Sequence, residues 1–80
     1  MSLNSNQSAH SLGDLPVAAR ARVLTLPQDD GHFTRLRAMG LCEGRCVQVI
    51  RQGSRMIVAV AGVRIGLHRA LARRIEVGPA

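Results

Sequence analysis

Apolar and polar residues alternate along most of this chain, and one stretch breaks the alternation with a three-residue period. Over 19–26, Arg20 and Arg22 alternate with Ala21 and Val23, the pattern of a strand with one wet and one buried face. Leu24 and Leu26 then fall on the arginine face, which predicts a strand that curls past the sheet edge before Pro27 ends it. Residues 46–51 read as a second strand with Val47 and Val49 inward. A Gln52-Gly53-Ser54 turn follows, then a third strand over 56–60. Ala61-Gly62 makes a hairpin turn into a fourth strand over 63–66. Residues 67–74, with Leu67, Ala70 and Leu71 on one face, predict a helical turn, and Ile75-Glu76-Val77 a last strand.

The break lies between the first two strands. Phe33, Leu36 and Met39 recur at i+3 and share one face of a helix of about two turns. Gly40 suits the left-handed conformation that ends a helix, and Leu41 then falls where an apolar contact back to Leu36 closes the motif. Glu43-Gly44 turns the chain into the second strand. Before the helix, Asp29 or Asp30 is placed to cap its positive end. The fold class that follows is mainly β. It is a small, partly open barrel of five to six short strands, with a short helix after the first strand and a helical turn before the last. Residues 1–11, polar and without period, read as a disordered tail, 12–78 as the single domain and 79–80 as a second tail.

Composition narrows the classes of function. Eighty residues bury only about 60% of their unfolded surface, so the core is thin and leaves little room for a deep catalytic pocket. No nucleophile stands in a recognisable motif with a histidine and a carboxylate, and no glycine-rich phosphate loop is present, so an enzyme is not expected. The net charge is +6 with every cation an arginine, which favours anionic partners. Phe33 is the sole aromatic, so the stacking platforms of single-strand binders are missing and nucleic acid is a disfavoured partner. Two thiols, Cys42 and Cys46, are too few for a disulfide scaffold. The longest nearly apolar run, 56–63, is far short of the roughly 20 residues that span a bilayer. With no secretory signal at the N-terminus, a cytoplasmic protein with reduced thiols is expected.

The sequence resembles the FeoA family of small accessory proteins for ferrous iron transport. The likeness runs from Leu12 to about Val77. It is carried by Leu15-Pro16, by Ala21-Arg22-Val23, and by Arg35-Leu36 followed by Met39-Gly40-Leu41. Gly44, Val47, the ending from Leu67 to Ala72, Ile75 and Val77 complete it. The resemblance implies an SH3-like barrel and a role beside FeoB, a membrane iron transporter with a cytosolic nucleotide-binding domain. It also implies a position at the inner membrane through that partner. The family often has proline just before the glycine of the turn, where this chain has Glu43. A looser turn is expected there, with an added charge and a candidate metal ligand.

The expected partner-binding residues are Arg35, Leu36, Met39, Gly40, Leu41 and Glu43, with the turn near Gly53 beside them. Arg35 points away from the apolar face and can grip a carboxylate or phosphate with two donors. Leu36, Met39 and Leu41 also suit a core, and Gly40 a structural turn. His32, Cys42, Glu43, Cys46 and His68 are candidate ligands for a divalent transition metal, Fe2+ or Zn2+, although no cofactor is required. Cys42 and Cys46 do not form a two-plus-two zinc pattern; one chain could offer Cys42, Glu43 and His32 or His68, or two copies could share a metal at a homodimer interface. Three functions follow. One is docking on FeoB, modulating ferrous iron uptake. The second is arginine-driven binding of nucleic acid or phosphate, and the third a metal-bridged dimer.

Overall fold

The computed structural model describes residues 10–28 and 31–80. Along them run β1 (His10–Ser11), a 3-10 turn (Leu12–Asp14), β2 (Arg20–Thr25) and α1 (Gly31–Ala38). Then follow β3 (Cys46–Arg51), β4 (Arg55–Val60), β5 (Val63–His68), α2 (Arg69–Ala72) and β6 (Glu76–Gly78). All pairings are antiparallel, in the order β1-β6-β2-β3-β4-β5, so the sheet is not fully closed. The mainly β class, the early helix and the late helical turn match the expectation from the sequence.

Alternation places the core. Ala21 and Val23 of β2, Val47 and Val49 of β3, and Met56, Val58 and Val60 of β4 are buried, joined by Ile65 and Leu67 of β5. Phe33 and Leu36 close one end, and Leu12, Ala72 and Ile75 are buried with them. The β4–β5 hairpin turns at Ala61 and Gly62, both with positive φ, the two-residue turn whose twist matches its strands. Gly13 lies so close to α2 that a Cβ there would meet the Arg73 amide nitrogen at 2.8 Å and the Arg69 carbonyl at 3.0 Å. That close approach lets the 3-10 turn seat against the last helix, and the Leu12 amide donates to the Ile75 carbonyl at 2.9 Å.

Four details differ from the sequence reading. Ordered structure includes His10 and Ser11, which pair with Val77 and Glu76, while residues 1–9 of the expected tail lie outside the described residues. The proposed helix caps Asp29 and Asp30 also lie outside them. The register of β2 shifts between Val23 and Thr25, which leaves Leu24 exposed and turns Leu26 into the core. That bulge resolves the conflict in alternation. Finally, Leu67 and His68 belong to β5, because both stay in register with β4, opposite Met56 and Arg55. The helical turn therefore starts later, with Ala72 buried, Leu71 half-buried and Ala70 exposed.

Candidate partner-docking site

The site is built on the end of α1. The Leu41 amide donates to the Leu36 carbonyl at 2.9 Å and the Gly40 amide to the Arg37 carbonyl at 3.1 Å. This double bond pattern is a Schellman stop, with Gly40 at φ +108° in the position that tolerates no ordinary side chain. Leu41 is carried inward and fully buried with Phe33 and Leu36. Met39, by contrast, is 41% exposed. The i+3 pattern had placed Met39 in the core. It sits where the helix stops, and Leu41, across the glycine turn, supplies the core contact instead.

Met39 is therefore free to wall a groove. His32, Arg35, Leu36 and Met39 of α1 face Gly66, Leu67 and His68 of β5 and Leu71 of α2 across a cleft of about 300 Å³. Leu36 and Leu67 are nearly buried, while Met39 and half-buried Leu71 supply accessible apolar surface. Arg35 and the two histidines contribute the polar edge, and among the described residues no carboxylate lines the cleft. Such an arrangement can take an apolar side chain and pair Arg35 with an adjacent acid.

The turn after Gly40 forms a separate unit. Arg37 Nη2 donates to Glu43 Oε2 at 3.1 Å and to the Leu26 carbonyl at 3.1 Å, and Nη1 to the Pro27 carbonyl at 3.3 Å. Glu43 Oε2 also accepts from the Leu26 amide at 3.4 Å. The Arg37 guanidinium, then the glutamate's own amide, hold the Glu43 carboxyl below its ordinary range. Glu43 does not loosen the turn, because it ties helix, turn and the end of β2 together. Gly44 donates to the Val23 carbonyl at 2.9 Å and continues the same tie.

The structure thus divides the expected site residues. Arg35, Leu36, Met39, His32 and His68 come together in the groove. Gly40 and Leu41 shape it from beneath. Cys42, half-buried, and Glu43 lie on the turn, and exposed Cys46 opens β3 in a shallow depression with Arg20 and Gln48. Gly53 borders a different hollow with Arg51 and Arg55. The hairpin that abuts Gly40 is the one at Ala61, whose Cβ lies 3.5 Å from where a Cβ on Gly40 would stand. Sequence reasoning missed Gly66, Leu67 and Leu71 as groove walls, since only the curl of the sheet brings β5 to α1.

The five candidate metal ligands are not gathered. Among the described residues no group of three or more His, Cys, Asp or Glu is placed to hold a metal. One oxygen of Glu43 is already shared by Arg37 and the Leu26 amide. The residues as placed do not fit a metal held by a single chain.

Residues 10–79 match the family model of the FeoA domain. No curated protein matches the chain. Among solved structures, the crystal structure of an iron uptake regulatory protein, FeoA, superposes with a TM-score of 0.78 at 25% identity. That superposition covers 88% of this chain and 96% of the other. The solution structure of FeoA from Chlorobium tepidum gives 0.81 at 26% identity, over 86% and 69%. FeoA from Stenotrophomonas maltophilia, crystallised with zinc and described as an SH3 domain protein, gives 0.71 at 28% identity, over 84% and 87%. The barrel described above is accordingly SH3-like.

Proposed function

The chain belongs to the FeoA family, associated with ferrous iron transport, and on that premise we propose that it is a non-enzymatic accessory protein that docks on the cytosolic part of a FeoB-type iron transporter and modulates uptake. The observation that carries this reading is the groove between α1 and β5. It offers an apolar floor and walls beside Arg35, and none of the described residues lining it is a carboxylate. A partner segment places one apolar side chain on Met39, Leu36 and Leu71, and an adjacent acid on Arg35. The S. maltophilia relative is described as a candidate ferrous iron transport activating factor, which supports a role in controlling the transporter. Among the described residues no helix is long and apolar enough to cross a membrane. The proposed docking on the transporter's cytosolic part puts it in the cytoplasm, at the inner surface of the membrane through its partner. Iron is the transporter's cargo in this scheme, and no step requires a metal held by this chain.

The test is a binding titration against the purified cytosolic domain of the transporter. Arg35→Glu reverses the charge at the groove and Met39→Asp places a carboxylate on its wall. Each is expected to weaken binding about tenfold or more. Equal binding by the folded variants overturns the assignment of this surface.

A further inference from the structure

A second surface lies on the outer face of the sheet. Residues paired across strands share a face, so the register assigns side chains directly. Arg22 lies opposite Cys46, Arg20 opposite Gln48, Gln48 opposite Ala59, Ala59 opposite Arg64, and Arg55 opposite His68. Their neighbours Val47, Val49, Val58 and Ile65 fill the core, which places this set on the outside. Arg20, Arg22, Arg55 and Arg64 are all exposed. Arg20 and Arg64 stand across three strand spacings, about 14 Å apart. Uncharged Cys46, Gln48, Ala59 and Gly66 separate the arginines.

Among the described residues the face carries little counter-charge. Strands β2 to β5 contain no aspartate or glutamate. Of the described carboxylates, Asp14 pairs with Arg73 at 3.3 Å and Glu43 with Arg37, and Glu76 of β6, at the far edge of the face beside the end of β2, accepts from the Thr25 hydroxyl at 3.0 Å. An apolar side chain accompanies the arginines: Leu24, two residues after Arg22 on β2, is 38% exposed.

We propose that this outer face binds an anionic membrane surface, with Arg20, Arg22 and Arg64 on lipid phosphates and Leu24 at the acyl boundary. Arginine grips phosphate with two donors, and basic residues mixed with apolar ones are the composition of an interfacial binder. A nucleic acid fits less well. The sole aromatic, Phe33, is fully buried, so no base can stack on a ring. A sugar–phosphate backbone also makes no use of Leu24. The face ends at β5, whose Gly66 and His68 also wall the groove, so a protein seated there would lie beside the bilayer. The lipid proposal stands independently of the transporter, because it concerns this chain and lipid alone.

Sedimentation of the full chain with vesicles tests it. At low salt the protein is expected to sediment with phosphatidylcholine vesicles containing about one-third phosphatidylglycerol, and to stay in solution with phosphatidylcholine alone. Replacing Arg20, Arg22 and Arg64 together by glutamine should lower the partition about 100-fold, and replacing them by lysine should retain most of it. Leu24→Ser should lower it several-fold at unchanged charge. Arg35→Gln, off this face, should change it less than Arg64→Gln does. Thermal melting of each variant confirms folding, since all the altered side chains are exposed. Undiminished sedimentation of the folded triple glutamine variant overturns the proposal, as does an equal loss with Arg35→Gln. A DNA duplex that strips the protein from vesicles, with binding indifferent to Leu24→Ser, reassigns the face to nucleic acid.

Discussion

Replacing Glu43 by glutamine or by alanine separates two contributions of one side chain. Glu43 Oε2 accepts from Arg37 at 3.1 Å and from the amide of nearly buried Leu26 at 3.4 Å. Glutamine keeps a carbonyl for the Leu26 amide and loses only the charge. The pair is well exposed, 26% for the Arg37 side chain and 41% for that of Glu43, so solvent screening limits the loss to about 0.5 kcal/mol. Alanine also leaves the Leu26 amide without its acceptor, which raises the loss to about 1.5–2 kcal/mol. For a domain of this size the melting temperature should fall by about 2–4 °C in Glu43→Gln and by roughly 6–16 °C in Glu43→Ala. The charged part depends on pH with a definite sign. The folded carboxyl is more acidic than its ordinary value of 4.5. Its contribution is complete above the unfolded value and is lost as pH falls through the lower folded value. Denaturant melts from neutral pH down through the acid range should show the wild type losing its advantage over Glu43→Gln below about pH 4.5. Equal melting temperatures for the two variants at neutral pH would refute the role given to the Leu26 amide. A constant gap between wild type and Glu43→Gln down through that range would refute the charge pairing.

Other substitutions examine the corner and the core. Gly40→Ala forces a side chain into left-handed backbone at φ +108° and should cost about 1–2 kcal/mol in a denaturant melt, with the Leu41 amide exchanging faster. Gly13→Ala drives a methyl into the Arg73 and Arg69 backbone and should cost about 1–3 kcal/mol, because the 3-10 turn must move off α2. Met39→Asp should leave stability within about 0.5 kcal/mol, whereas Leu41→Asp buries a carboxylate without a partner and should prevent folding, as circular dichroism will show. Exposed Cys46 should react with a thiol reagent before half-buried Cys42, which a mass-spectrometric time course resolves.

Local chemistry made much of this legible in the sequence. β3 has the predicted limits, Cys46–Arg51, because its alternation is flanked by glycine turns. The helix stop was readable because only glycine accommodates the backbone that closes a Schellman motif. What failed was whatever depends on another segment. Leu67 and His68 carry a helix-like spacing, but pairing with Met56 and Arg55 draws them into a strand. Met39 fits the apolar period of α1, and the chain reversal at Gly40 gives its place to Leu41. The tie between Arg37 and Glu43 joins residues 6 apart, through a turn whose geometry no periodicity encodes. The groove is the extreme case. Its α1 side was named from the sequence, and its β5 side appears only when the barrel curls.

Amide chemical-shift mapping most directly tests the claim that the α1–β5 groove is what the partner holds. The isotope-labelled protein would be titrated with the unlabelled cytosolic domain of the transporter. The account predicts that shifts concentrate at Arg35, Met39, Gly66, His68 and Leu71, with the core amides of β3 nearly unmoved. Shifts confined to β1, β6 and the 3-10 turn, with Arg35, Met39 and Gly66 unchanged at saturation, would contradict it.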